Sequence, residues 1–161
     1  MLRVAVLTVS TSGARGERAE DVSGGAIREM AEAAGWSVVD YRVVADDRGT
    51  VASALREWAD RDAADLIVTT GGTGLSPTDV TPEATRDVLD RELPGMAEAM
   101  RSASLAKTPR AMLSRATAGA RRRCLIVNLP GSPRGVRECL EVVLPVIPHA
   151  IEILQARPTD H

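Results

Sequence analysis

The chain has 161 residues, 44% of them hydrophobic and 26% charged, and a formal net charge of −2. That length holds one domain with a full core, and no apolar run approaches the roughly 20 residues of a membrane span. A negative chain with 2% aromatics lacks both the basic surface and the stacking rings of a nucleic-acid binder.

The N-terminus enters Leu2-Arg3-Val4-Ala5-Val6-Leu7 with no signal peptide or cleavage site, so a cytoplasmic location is expected. Leu2 to Val9 reads as a first strand. Val22, Ala26, Ile27, Met30 and Ala34 then recur at helical spacing, with Gly35 as the stop. Ser37 to Val44 reads as a second strand; Val51, Leu55, Trp58 and Ala59 mark a helix, and Asp65 to Thr69 a third strand. Thr81-Pro82-Glu83 has the form of a helix start with Thr81 as cap, and that helix is expected to run until Pro94 interrupts it. A helix through Met96 and Met100 follows. Ser114–Gly119 and Arg123–Asn128 read as a hairpin joined by an arginine turn. Ser132-Pro133 opens a helix carrying Val136, Leu140 and Val143, and a last helix passes through Ile151 and Leu154.

Alternating strands and helices predict a three-layer α/β/α sandwich with a mostly parallel central sheet and a short β-hairpin, as a single domain over 1–161. Cys124 and Cys139 match no metal or redox spacing and read as small buried hydrophobes. Neither His149 nor His161 has the sequence neighbours of a zinc site.

Four expected strands run into polar loops: Ser10-Thr11-Ser12-Gly13, Asp46-Asp47-Arg48-Gly49, Thr69 to Asp79, and Asn128-Leu129-Pro130-Gly131-Ser132. In a parallel sheet these loops share one rim, where ligands bind and helix N-termini favour anions. The third loop, TTGGTGLSPTD, exceeds the usual 2–6 residues of a βα connection. Its glycines let backbone approach a ligand, and successive N–H groups can form an anion nest. It is not a P-loop, because no lysine follows and Lys107 is the chain's only one; Pro77 spoils the dinucleotide fingerprint. Asp46-Asp47 and Asp79 at a phosphate rim would need an intervening cation, for which Mg²⁺ is the expectation. The alternative is that Asp79 caps the Thr81 helix and Asp46-Asp47 is a solvated turn.

The stretch TTGGTGLSPTDVTPEAT, with LSRA at 113–116 and NLPGSP at 128–133, resembles the MogA/MoaB family of molybdopterin adenylyltransferases. The resemblance runs over nearly the whole chain. It implies Mg²⁺-dependent transfer of AMP from ATP to the phosphate of molybdopterin, with release of pyrophosphate. It also implies catalytic and metal-holding roles for Asp46 and Asp79. Substrate binding would fall to Ser10, Gly71, Gly72, Thr73, Gly74, Ser104, Ser114, Asn128, Gly131 and Ser132. Two positions depart from the family's pattern: Thr11 stands where many members have aspartate, and Thr78 where many have arginine. Arg15, Arg18 or Arg134 could replace the missing cation. The family implies a homotrimer or a hexamer, with a molybdate-insertion enzyme as a potential partner. The alternative function is a molybdopterin-binding protein of the same fold with little or no catalysis. Molybdate insertion and a CinA-like nucleotide activity are disfavoured because those chains are longer.

Overall fold

In a computed structural model of the protein, which describes residues 1–156, seven helices and six strands alternate. Residues 157–161, the end of the single domain expected over 1–161 and including His161, lie outside the described residues. The strands are β1 (Arg3–Val9), β2 (Ser37–Val44), β3 (Leu66–Thr70), β4 (Arg91–Glu92), β5 (Ala118–Arg121) and β6 (Cys124–Leu129). They form one sheet in the order β2-β1-β3-β6-β5-β4. β2, β1, β3 and β6 are parallel; β5 and β4 pair antiparallel at one edge.

Strand periodicity sorts the core onto two faces. Val4, Val6, Leu66, Val68, Leu125 and Val127 face one layer, which includes α2 (Val22–Ala33), α5 (Pro94–Leu105), α6 (Pro133–Val143) and α7 (Ile147–Leu154). Ala5, Leu7, Val9, Ile67 and Ile126 face the other, made by α3 (Arg48–Asp60) and α4 (Thr81–Val88). A further short helix, α1 (Thr11–Ala14), follows β1. Each fully buried Leu or Ile contributes roughly 1.5–3 kcal/mol of transfer free energy, so the inner strands are the most firmly held part of the molecule. Trp58 is 2% exposed and satisfies its indole N–H on Asp40 Oδ2 at 2.8 Å. Among the described residues no helix is long and apolar enough to cross a membrane.

Three local expectations are corrected. Thr81 does not cap α4: the cap position is Val80, without a side-chain bond, and Thr81 Oγ1 donates instead to the Gly71 carbonyl at 2.9 Å. Helix α4 does not run to Pro94. It stops at Val88, because Leu89 turns extended and the chain joins the sheet through Asp90 N to Ala120 O and Leu93 N to Ala118 O, both 2.8 Å. Pro94 then opens α5 in the first turn, where a proline lacks no needed N–H. The hairpin's first strand is Ala118–Arg121, later than expected, because the Ser114 and Ala116 carbonyls accept from Arg101 Nη1 at 3.5 and 2.8 Å and not from a neighbouring strand. The arginine turn is present, with Arg122 at φ 52°, and Arg121 ties it to the layer below: Nε donates to Asp60 Oδ1 at 2.8 Å and Nη1 to the Val88 carbonyl at 2.8 Å.

Candidate active site

The carboxyl ends of β1, β2, β3 and β6 lead into α1, α3, α4 and α6, so the four polar loops meet at one rim. Two clefts open there. An acidic cleft of about 470 Å³ is lined by Ser10, Asp46, Gly71, Gly72, Asp79 and Gly131, together with Asp21 and Arg18. A mostly apolar cleft of about 440 Å³ is lined by Thr73, Gly74, Ser104, Ser114, Asn128 and Ser132, with Met100, Leu113 and Cys139. All twelve residues expected at the site therefore line one cleft or the other.

The glycine loop is the wall between them, with Gly71 and Gly72 on the acidic side and Thr73 and Gly74 on the apolar side. The NLPGS loop adds to that wall: Thr70 Oγ1 donates to the Pro130 carbonyl at 2.6 Å, and Ser23 Oγ to the Gly131 carbonyl at 2.6 Å. Gly71 and Gly72 sit at φ 94° and 69°, a left-handed backbone that glycine adopts without strain. Gly72, Thr73 and Gly74 donate no backbone hydrogen bond among the described residues. Three successive free N–H groups are the donor set of an anion nest.

The two carboxylates of the second loop separate by function. Asp47 caps α3, accepting Thr50 N at 2.8 Å and Thr50 Oγ1 at 2.7 Å, a role the solvated-turn alternative did not assign to it. Asp46 faces the cleft. Its Oδ2 accepts from Thr11 N at 3.0 Å and Thr11 Oγ1 at 2.9 Å, and its own N–H donates to Thr11 Oγ1 at 3.0 Å. Thr11 is thus what orients Asp46. Asp79 does not cap α4; its Oδ2 accepts from Ser76 N at 3.1 Å, behind it in the chain. Oδ1 of each aspartate accepts no hydrogen bond among the described residues. These residues contain no cluster of three or more His, Cys, Asp or Glu side chains able to hold a metal unaided. Two carboxylates on one cleft, each with a free oxygen, fit Mg²⁺, which takes phosphate oxygens and water for its other positions.

Four residues escape the sequence: Asp21, Arg101, Arg110 and Arg115. Asp21 caps α2 and lines the acidic cleft, bonded by Thr8 Oγ1 at 2.6 Å, Gly24 N at 3.0 Å and the Tyr41 hydroxyl. Burial pushes the Asp21 carboxyl up, but the bonds from Thr8, Tyr41 and Gly24 outweigh it and hold it below the usual range. Burial, with the Asp21 bond, pushes the Tyr41 phenol up to about 12. Asp21 is therefore ionised at neutral pH and deepens the demand for a cation. Its signal was an aspartate directly before an amphipathic helix. Arg101 and Arg110 bring positive charge to the apolar cleft, as Arg134 does; Arg18 does so on the acidic side, whereas Arg15 lines neither. Thr78 is exposed and bonds only within its turn, to Ser76 Oγ at 3.0 Å. Arg115 of the LSRA stretch grips the glycine loop.

Asn128 is 0% exposed and its amide is saturated. Oδ1 accepts Thr117 N at 3.2 Å, and Nδ2 donates to Thr69 Oγ1 and Thr85 Oγ1, both at 3.0 Å. It holds β6, β3 and α4 together beneath the clefts and has no donor free for a ligand. Asn128→Ala leaves the buried Thr117 N–H without its side-chain acceptor, at an expected cost of about 1–3 kcal/mol. Urea denaturation should show a lower midpoint at unchanged slope; an unchanged midpoint would remove the bracing role. Ser132 caps α6 on Gly135 N at 3.0 Å, and Ser10 caps α1 on Gly13 N at 3.1 Å. Burial pushes the Cys139 thiol up, so the thiolate needed for nucleophilic chemistry is disfavoured.

The chain as a whole has known counterparts. A curated relative in Helicobacter pylori strain J99, named molybdopterin adenylyltransferase, is 43% identical over 155 residues, covering 95% of this chain and 88% of its own. The crystal structure of the molybdopterin biosynthesis enzyme MoaB from Thermus thermophilus is 54% identical, with a TM-score of 0.91 over 99% of this chain and 100% of that one. MoaB from Pyrococcus furiosus, described as a tungsten cofactor synthesizing protein, is 36% identical with a TM-score of 0.87, covering 96% and 98%. A family model described as "Probable molybdopterin binding domain" matches residues 5–149, and with it the chain belongs to the MoCF_biosynth family of molybdenum-cofactor biosynthesis proteins.

Proposed function

We propose that the protein is a molybdopterin adenylyltransferase, moving AMP from ATP to the terminal phosphate of molybdopterin and releasing pyrophosphate. The observation that carries this is the pair of adjoining clefts divided by one glycine wall, with Asp46 and Asp79 facing the acidic side. The acidic cleft suits the phosphates of Mg-ATP. The apolar cleft, with Met100, Ala97 and Leu113 on its walls and Arg101 and Arg110 among them, suits a heterocycle that carries its own phosphate.

Mg²⁺ held between Asp46 and Asp79 would neutralise phosphate charge and polarise the α-phosphate. The chain's own part is positioning, which dominates catalysis in phosphoryl-type transfer. Thr11 fixes Asp46, the Gly72–Gly74 N–H groups bind anionic oxygen, and the wall brings the two phosphates together. Attack by a pterin phosphate oxygen on the α-phosphorus expels pyrophosphate without a protein nucleophile.

Purified protein given molybdopterin, ATP and Mg²⁺ should produce adenylylated pterin and pyrophosphate in equal amounts, and EDTA should stop both. Tight pterin binding with no pyrophosphate would replace the enzyme by a binding protein.

A further inference from the structure

We propose that Arg115 is a positioning residue for this reaction, fixing the Gly74–Asp79 segment so that the Asp79 carboxylate stays on the acidic cleft. The assignment rests on the adenylyltransferase reading of the site.

Leu75, Ser76, Pro77 and Thr78 are all exposed, so no packing holds the chain between Gly74 and Asp79. Internal bonds are few: Asp79 N to Ser76 O at 2.9 Å and Ser76 N to Asp79 Oδ2 at 3.1 Å close the turn on itself but do not anchor it. Arg115 supplies the anchor at both ends. Its Nε donates to the Gly74 carbonyl at 2.8 Å and Nη2 to the Asp79 carbonyl at 3.0 Å. Nη1 pairs with Glu83 Oε2 in the first turn of α4 at 2.7 Å, and its backbone N–H donates to the Thr73 carbonyl at 2.9 Å. One planar, rigid fork thus spans the segment's start, its end and the helix beyond.

The backbone around Arg115 is itself fixed from the other side. Ser114 and Ala116 line the apolar cleft, and their carbonyls accept from Arg101. Flanking residues of an extended segment face opposite to the central one. Ser114 and Ala116 therefore meet the apolar cleft while Arg115 reaches across to the loop bearing Asp79. Lysine cannot substitute fully, because a single ammonium on a flexible stem can hold Glu83 but not two carbonyls in a fixed plane.

Arg115→Ala and Arg115→Lys are compared with wild type in steady-state pyrophosphate release and in hydrogen exchange of the 74–79 amides. Arg121→Ala, which removes the distant Asp60 pair, is the control for general destabilisation. For Arg115→Ala the expectation is a kcat lower by about 10²-fold, the scale of a small misplacement of a catalytic group. The Mg²⁺ needed for half-maximal rate rises, and the molybdopterin KM stays within about threefold. Amides 74–79 exchange about tenfold faster or more. Arg115→Lys falls between, and it carries the test should the alanine variant not fold. Arg121→Ala keeps the wild-type Mg²⁺ dependence. An unchanged kcat in both Arg115 variants, full activity in the lysine variant, or unchanged exchange at 74–79 overturns the assignment. Wild-type protein without turnover sinks the adenylyltransferase reading instead, and exchange alone then decides the role of Arg115.

Discussion

Asp79→Asn should lower the rate of AMP transfer by roughly 10²–10³-fold, the scale on which a single preorganised electrostatic contact to a developing charge is measured. The substitution keeps the shape of the side chain, and the amide oxygen can still accept from Ser76 N, which now holds Oδ2 at 3.1 Å. What disappears is the negative charge on the cleft. Asp79 sits on a loop outside the core, so folding should be undisturbed and the thermal midpoint close to wild type. The rate is read as initial pyrophosphate release at saturating ATP and Mg²⁺. The neighbouring-carboxylate comparison is Asp47→Ala, which removes a helix cap and destabilises α3 but takes nothing from the cleft, so its effect should fall on stability and not on turnover. An Asp79→Asn rate within about threefold of wild type would exclude charge at this position from the mechanism.

The parallel strands were legible because their signal is local. Val4 to Val9 and Leu66 to Thr70 alternate between two helical layers, and the apolar sets of both faces are continuous in the sequence. The glycine rim was legible for the same reason, since length, glycines and flanking hydroxyls all lie in one stretch. What the sequence hid was set by partners far along the chain. Thr81 has every local property of a cap, yet its hydroxyl is taken by the Gly71 carbonyl ten residues earlier. Leu89 to Leu93 continues a helical pattern, but pairing with Ala118 and Ala120 on β5 overrides it. Asn128 looks like a ligand residue at a strand end, and only the positions of Thr69, Thr85 and Thr117 show its amide to be saturated. Thr11 looked like a lost carboxylate. In three dimensions a carboxylate there would stand against Asp46, whereas threonine exchanges hydrogen bonds with it in both directions. Nothing beside Arg115 in the sequence marks its role, because its side-chain contacts lie 32 to 41 residues away.

Gly71→Ala should be the most destabilising single methyl that can be added to the rim. Gly71 has φ 94°, where an L side chain is strained, and a Cβ there would stand 2.3 Å from the Val9 carbonyl oxygen. Val9 ends β1, which is clamped between β2 and β3, so the oxygen cannot retreat. The Gly71 carbonyl is itself held by Thr81 Oγ1 at 2.9 Å, which opposes rotation of the peptide in the other direction. The strained conformation costs roughly 1–3 kcal/mol and the overlap roughly 1–3 kcal/mol more. The sum, about 4 kcal/mol, is a large share of the roughly 5–15 kcal/mol that keeps a domain folded. Gly25→Ala sets the contrast: it lies inside α2 with nothing within 4 Å of a new Cβ. There alanine should be neutral or stabilising by up to about 1 kcal/mol through helix propensity. Urea denaturation of the two variants beside wild type separates them, with midpoints moving in opposite directions or only the first moving. A Gly71→Ala midpoint equal to wild type would mean that the wall can yield, and the proposed nest would then lack the rigidity that holding two phosphates in register requires.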